Sequence, residues 1–310
     1  MHKVKKVAIS VGDLNGIGIE LILKNHDIVS KMIEPFYIID KEMLYQVCKL
    51  LDIDIPSNFK TISPNSKYFN IQSGEISKES GAYSFDSFKK AVELAQNNEV
   101  DAICTLPIHK KAWELAGVPY KGHTDALRDF CNTDAIMMLG CPKLYVALFT
   151  EHIPLKSVPN ALTFGKLEKF LLDFYSSAKP NSIVGVLGLN PHAGDGGVLG
   201  NEEEIITSAI LGANEKIGNK IYNPTPLVPD IAFTPNVRKN YKYLIAMYHD
   251  QGLAPLKALY FDESINVSLN LPFLRVSVDH GTAFDKAYKK ADISGASYIN
   301  AIKYIIESSE

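Results

Sequence analysis

The sequence predicts an α/β fold with mixed, largely parallel sheets. The main observation is that short apolar segments of strand length alternate with helix-length segments along the whole chain. This alternation is typical of sheets whose parallel strands are connected by helices. The second observation is the length. At about 150 residues per domain, the 310 residues correspond to two modest domains or one large one.

The predicted elements follow one another in chain order. An apolar strand at 5–12 leads through a glycine-rich turn into a helix that begins near Gly18. Ser84 is predicted to cap a helix that runs to about Asn98, and a strand at 100–105 follows it. The remaining predicted strands are 144–150, 183–189, 243–248 and 274–278, and the remaining predicted helices are 167–178, 202–216 and 294–306. Residues 53–80 and 219–240 are expected to be irregular.

The composition excludes several functional classes. Apolar residues make up 46% and charged residues 22% of the chain, and the net charge is −3. These values argue against a protein that mainly binds nucleic acid or an anionic membrane. No apolar run approaches the ~20 residues of a membrane helix, and the apolar stretch near the start is too short for a signal peptide. The four cysteines form no CxxC pair, so we expect a reduced, cytoplasmic protein.

Three histidines, His152, His192 and His249, follow the carboxyl ends of predicted strands. Ligands bind beyond that edge in open α/β sheets, and three imidazoles can hold one divalent metal with positions left for a substrate. Each histidine taken alone is also typical of a capping or core residue, so both interpretations stay open. His2 and His26 are interpreted as a terminal residue and a helix-surface residue.

Two glycine-rich loops each join a strand to a helix. GDLNGIG (12–18) matches neither the dinucleotide fingerprint nor a Walker A loop. A tight turn, with Glu20 at the positive end of the helix, explains it at least as well. AGDGGVLG (193–200) leads into a helix that opens with three glutamates (202–204), which would repel a pyrophosphate. We therefore expect its glycines to let the backbone pass close to whatever His192 binds.

The charged residues of the second half of the chain suggest an anionic ligand. Lys257 and Arg275 would suit a phosphate or a carboxylate near a metal site, although either residue is by default a surface charge. GHTD (122–125) is typical of a helix cap. DHGTAFD (279–285) places a histidine, a glycine and two carboxylates in one loop directly after a strand.

Taken together, these motifs resemble the 4-hydroxythreonine-4-phosphate dehydrogenases, the NAD(P)-dependent enzymes of pyridoxal phosphate biosynthesis. The matching strings are SVGDLNGIGIE, GHTDAL, LFTEHIPL, GLNPHAGDGGVLGNEE, MYHDQGLAPLK and NVSLNLPFLRVSVDHGTAFD, in the family's order over nearly the whole chain. The resemblance implies an isopropylmalate dehydrogenase-like fold of two α/β/α lobes with mixed, largely parallel sheets, and an active site in the cleft between the lobes. The expected lobes are a discontinuous nucleotide-side lobe, 1–125 plus 275–310, and a metal, substrate and dimerisation lobe, 126–274.

The resemblance also implies roles for individual residues. It makes His152, His192 and His249 the ligands of a divalent metal, Zn²⁺, Mg²⁺ or Co²⁺. The implied substrate-binding residues are His123, Thr124, Lys257, Asn266 and Arg275, and the implied cofactor-binding residues are His280, Gly281, Thr282 and Asp285. A homodimer with a shared active site is implied, in which the partner subunit's His249 completes the metal ligands. The chain reads AYKK (287–290) where the family has an AGKG-like turn, so NAD and NADP both stay open.

The implied reaction is the oxidation of 4-phosphooxy-L-threonine to a β-keto acid, which decarboxylates to 3-amino-2-oxopropyl phosphate in pyridoxine 5′-phosphate biosynthesis. Hydride passes to the nicotinamide, and Lys257 or Asp250 accepts the hydroxyl proton. One alternative is a dehydrogenase of another four-carbon phosphorylated acid, such as threonate or erythronate phosphate. A metal-dependent hydrolase and a phosphate acyltransferase are the less favoured alternatives.

Overall fold

The structure is a computed structural model that describes residues 4–308. The described chain divides into two compact units. The first unit contains residues 4–133, 265–267 and 271–308, and the second contains residues 134–264 and 268–270. The outer ends of the predicted nucleotide-side lobe, 1–3 and 309–310, lie outside the described residues, and His2 lies there with them.

Strands and helices alternate along most of both units. The strands are β1 Lys6–Ser10, β2 Glu34–Ile38, β3 Thr61–Ile62, β4 Ala102–Thr105, β5 Ile136–Cys141, β6 Leu144–Leu148, β7 Val184–Val186, β8 Tyr243–Ala246, β9 Ile265–Leu269 and β10 Leu274–Val278. The α-helices are α1 Gly18–Val29, α2 Lys41–Leu51, α3 Lys78–Gln96, α4 Lys110–Leu115, α5 His123–Cys131, α6 Val158–Ala161, α7 Phe164–Ala178, α8 Glu202–Ile217, α9 Pro229–Ala232, α10 Pro235–Arg238, α11 His249–Tyr260 and α12 Ala296–Glu307. Within residues 4–308, no helix is long and apolar enough to cross a lipid bilayer.

The first unit is built on parallel strands in the order β3-β2-β1-β4-β10. Ala8 of β1 pairs with Phe36 on one side and with Ile103 on the other. Nearly all residues of β1, β4 and β10 are buried, because helices cover both faces of a parallel sheet. Phe88 of α3 and Trp113 of α4 pack with Ala8 and Ile103 in one buried cluster.

The second unit contains strands in the order β5-β6-β8-β7. β5 and β6 form an antiparallel hairpin, while β8 is parallel to both β6 and β7. The residues of β9 are divided between the units after Val267. The predicted α/β class with mixed, largely parallel sheets is therefore confirmed.

Helix α3 begins earlier than the sequence predicts. The capping residue is Ser77, whose hydroxyl accepts a hydrogen bond from the backbone N of Ser80 at 3.1 Å, and Ser84 lies inside the helix. The first turns lack an apolar stripe because small residues face α4 there. A Cβ on Gly81 would lie 2.1 Å from the backbone oxygen of Ala112, so the tight contact excludes the large side chains that mark a helix in a sequence.

The prediction that His26 lies on a helix surface is wrong. The side chain is 1% exposed, and its Nδ1 and Nε2 lie 2.8 Å from the Tyr37 hydroxyl and 3.0 Å from the backbone oxygen of Ser57. The segment after α2, which the sequence predicts to be irregular, covers this part of α1. Phe59 of that segment stacks on Tyr37 with ring centroids 4.0 Å apart. His26 is therefore a hydrogen-bonded core residue.

Candidate active site

Two of the three predicted metal ligands lie close together in one chain. The imidazole centroids of His152 and His249 are 5.4 Å apart. His249 begins α11, and its Nδ1 lies 2.7 Å from Oδ1 of Asp250. A carboxylate on Nδ1 favours the tautomer with the proton on that nitrogen, which leaves the lone pair of Nε2 for a ligand.

His192 lies on an exposed loop with an unusual backbone. Five successive residues, 192–196, have positive φ angles between 46° and 79°. His192, Ala193 and Asp195 adopt this left-handed conformation although they carry side chains, at a cost of roughly 1–2 kcal/mol per residue. Strained backbone of this kind persists where the surrounding structure fixes it, and it is concentrated at functional sites.

The described residues of one chain contain no group of three His, Cys, Asp or Glu side chains arranged to hold a metal ion. The structure brings His152 and His249 together, and within residues 4–308 no third ligand of these types completes a group with them. The set of donors fits a divalent cation in kind, since neutral imidazole is the commonest protein ligand of such metals. One chain by itself does not form the three-ligand centre that the sequence predicts.

In the first unit, Arg275 of β10 is a buried cation, 2% exposed. Its Nη2 donates to the hydroxyl of Thr105, at the end of β4, at a distance of 2.7 Å. Burial lowers the pKa of Arg275 to about 10, so the guanidinium stays charged at neutral pH. A charge held in a buried site attracts an anion strongly because water screens it weakly.

His123 lies at the start of α5 and is held in its neutral form. Burial, and secondarily the charge of Arg275, lower its pKa well below the ordinary value. The ring packs against Phe88 and Trp113, with centroids 4.7 Å and 5.4 Å away. Its Nε2 is buried and contacts no hydrogen-bond partner among the described residues, so this nitrogen is available to a ligand.

The other predicted substrate-binding residues divide between the units. Thr124 follows His123 in α5, and Asn266 lies on β9, where its buried Oδ1 accepts no hydrogen bond from a described residue. Both belong to the first unit with His123 and Arg275, whereas Lys257 of α11 belongs to the second. The Lys257 ammonium lies 5.8 Å from the centroid of Phe261.

The predicted cofactor residues His280, Gly281, Thr282 and Asp285 lie on the loop that follows β10. This loop packs on GDLNGIG, because the backbone N of Ile17 donates to the backbone oxygen of Thr282 at 3.0 Å. The ring of Phe284 stacks on His109 with centroids 5.0 Å apart and an angle of 18°. The two motifs, far apart in the sequence, therefore form one surface of the first unit.

Two residues of the AYKK segment (287–290) have a backbone conformation that glycine favours. Tyr288 and Lys290 have φ angles of 57° and 53°, in the left-handed region that glycine adopts without strain. The Tyr288 side chain compensates with a hydrogen bond from its hydroxyl to the backbone oxygen of Leu14 at 2.6 Å. Its backbone N donates to Glu20 at 2.6 Å. Glu20, expected to interact with its own helix end, therefore also anchors this loop.

Sequence reasoning missed three polar residues that shape these sites: Asp13, Glu203 and Gln251. Asp13 lies in the glycine-rich loop 12–18, and Gln251 lies in the HDQG string. From the sequence, Glu203 is only one of three glutamates in the first turn of α8. The sequence offers no signal of their burial or of their partners. Asp13 is completely buried, and burial raises its pKa to about 6 against the opposing effect of hydrogen bonds from Asn15 and Ser80.

The raised pKa of Asp13 predicts how stability depends on pH. The folded-state pKa lies above the ordinary value of 3.8, so ionisation destabilises the fold and the free energy of unfolding falls as pH rises through this range. Asp13→Asn removes the ionisation. Between about pH 4 and pH 7, its stability relative to wild type should improve by up to about 3 kcal/mol. Urea denaturation at both pH values measures this, and the exposed Asp27→Asn is the control. Identical pH profiles for Asp13→Asn and wild type would contradict the assignment.

The fold and the buried cationic site are typical of α/β enzymes that act on small anionic substrates. The chain belongs to the family of the pyridoxal phosphate biosynthetic protein PdxA, whose model matches residues 31–305. It is 60% identical to the 4-hydroxythreonine-4-phosphate dehydrogenase of Sulfurimonas denitrificans, over 100% of this chain and 99% of that one. The enzyme of the same name from Campylobacter fetus is 51% identical, with 97% of each chain covered. The crystal structure of the Klebsiella pneumoniae enzyme matches with a TM-score of 0.82 and 30% identity, covering 99% of this chain and 100% of that one.

Proposed function

We propose that this protein oxidises 4-phosphooxy-L-threonine with NAD or NADP, and that the β-keto acid formed loses carbon dioxide to give 3-amino-2-oxopropyl phosphate. The observation that carries the proposal is the 60% identity, over the whole chain, to a relative named 4-hydroxythreonine-4-phosphate dehydrogenase. The same similarity favours this reaction over the metal-dependent hydrolase and the phosphate acyltransferase. The proposed place of the reaction is the cytoplasm, in pyridoxine 5′-phosphate biosynthesis, and all four cysteines are free as expected there.

The proposed substrate contacts follow from charge and hydrogen-bonding capacity. Arg275 supplies a permanent cation for the phosphate or the carboxylate, and neutral His123 and the Thr124 hydroxyl supply hydrogen bonds beside it. Asn266 offers a buried amide oxygen that can accept from a substrate donor. Lys257 is proposed as a further cation, and either Lys257 or Asp250 takes the proton of the substrate hydroxyl as hydride leaves the same carbon.

The cofactor proposals rest on the resemblance. His280, Gly281, Thr282 and Asp285 would hold NAD or NADP, which would supply the hydride acceptor. His152, His192 and His249 are proposed to hold Zn²⁺, Mg²⁺ or Co²⁺. Such a cation supplies Lewis acidity when it is bound. The resemblance places the partner subunit's His249 beside His152 and His192 of this chain, so the proposal includes a homodimer. Within one chain, the two rings that lie together are His152 and His249. An active site in the cleft between the lobes stays a prediction.

The experiment that tests this function follows nicotinamide reduction by absorbance. The purified protein is mixed with 4-phosphooxy-L-threonine and either NAD⁺ or NADP⁺, before and after chelation and with each of the three cations added back. We expect turnover that chelation removes and at least one cation restores. Threonate phosphate, erythronate phosphate and unphosphorylated 4-hydroxythreonine are run in parallel. A higher kcat/KM with one of the first two would replace the proposed substrate, and no reduction with any of them would refute the function.

A further inference from the structure

The strand end that leads to His192 is held by two side chains from different helices of the second unit. The first is Glu203 of α8, which is buried. Its Oε1 accepts from the backbone N atoms of Leu189 and Asn190 at 2.9 Å and 2.8 Å, and its Oε2 accepts from the Asn190 amide at 2.9 Å. Three donors on one buried carboxylate make strong, charge-assisted hydrogen bonds.

The second side chain is Gln251, which lies two residues after His249 in α11. Its Nε2 donates to the backbone oxygen of Gly188 at 2.6 Å, and its Oε1 accepts from the backbone N of Met247 at 2.7 Å. One amide therefore connects the turn that precedes His249 with the strand end that precedes His192.

The left-handed loop 192–196 folds back over the same carboxylate. A Cβ on Gly194 would lie 2.7 Å from Oε2 of Glu203, so only glycine permits the close approach at a φ of 79°. Gly194, one of the glycines of the loop 193–200, therefore passes close to Glu203. The Glu203 carboxylate therefore holds Leu189 and Asn190, which lead into the loop, and contacts the loop again at Gly194.

We infer that Glu203 and Gln251 are positioning residues, which together hold the backbone that leads to His192. The inference rests on the proposed function, in which His192 is one of the histidines of the active site. Neither side chain needs to touch the substrate, because each acts through the backbone of 188–190. Groups that orient a functional histidine commonly change activity or metal affinity by about 10–100-fold when they are lost.

The test uses Glu203→Gln, with Glu204→Gln as the matched control from the same turn, where Glu204 is exposed. Glutamine keeps an acceptor for Leu189 and Asn190 but turns an NH₂ group toward the Asn190 amide. We expect kcat to fall about 10-fold or more, with an unchanged KM for the nicotinamide coenzyme because its proposed residues lie in the first unit. Glu204→Gln should behave as wild type. Gln251→Leu, which removes both bonds of the amide, should lower kcat in the same way.

A structural measurement without substrate separates this inference from the proposed function. Amide hydrogen exchange at Leu189 and Asn190, and the NMR signals of the His192 ring, should change in Glu203→Gln and Gln251→Leu but not in Glu204→Gln. If wild type shows no dehydrogenase activity, the function fails while these signals still decide the positioning role. Unchanged exchange and ring signals in both variants would overturn the inference. So would wild-type kcat in a variant whose His192 signals have shifted.

Discussion

Replacing Arg275 by methionine should lower kcat/KM for 4-phosphooxy-L-threonine by roughly 10³-fold, in line with the loss of one partner from a buried charge pair. The guanidinium is buried and is fixed by the Thr105 hydroxyl, so its charge acts on the substrate with little screening. Methionine fills similar space without charge, and apolar replacements of buried ions often preserve stability. Initial rates give the kinetic effect, and thermal unfolding reports whether the fold is kept.

Two further variants serve as controls: one keeps the positive charge at position 275, and the other removes an arginine elsewhere in the chain. Arg275→Lys keeps the charge but loses the planar fork of donors, so its kcat/KM should lie between wild type and Arg275→Met. Arg238→Met removes a half-buried arginine of the second unit that donates to the Phe233 backbone oxygen at 2.9 Å, and its kcat/KM should not change. A folded Arg275→Met protein with wild-type kcat/KM would show that Arg275 does not bind the substrate.

Mixing inactive His152→Ala and His249→Ala proteins should restore activity if two chains share the proposed active site. In a heterodimer, one site then contains both substitutions and the other contains none. Verified heterodimers should therefore reach about half of wild-type activity, and the unseparated mixture about a quarter after random reassociation. The mixed proteins are dissociated and reassociated, and the heterodimers are isolated by tag before their rate is measured.

The 5.4 Å separation of His152 and His249 within one chain makes this experiment decisive. If each site uses the His249 of its own chain, every site in the heterodimer carries one substitution and no activity returns. His152→Ala mixed with His192→Ala is the negative control, because the proposed sharing places both residues in the same half of the site. Recovery in that control as well would contradict the proposed division of ligands.

The sequence predicted the parts of the fold that depend on buried apolar strands. β1, β4, β6, β8 and β10 all lie within predicted segments, because strands covered on both faces are rich in apolar residues. The hairpin strand β5 and the first turns of α3 were missed. In α3, the close contact with α4 requires glycine at position 81, and small residues give no helical pattern in a sequence.

Residue types and motifs were enough to propose candidate site residues, but not to predict which polar residues are buried. Arg275 and His123 were selected from motifs, and the structure shows a buried cation beside a neutral imidazole. His26 was misassigned because its partners, Tyr37 and Ser57, come from segments that no local pattern brings together. Residue spacing likewise does not indicate that the proposed metal ligands come from two chains.

The side chains at 288 and 290 have a consequence for ligand binding by the loop after β10. At the left-handed positions 288 and 290 a side chain costs backbone strain, although it also leaves the chain fewer conformations than glycine would. With the Tyr288 hydroxyl bonded to Leu14, the loop is preorganised before any ligand arrives. A ligand that binds there does not need to order the loop. The entropy of binding should therefore come mainly from water released on binding, and little conformational entropy of the loop should be lost.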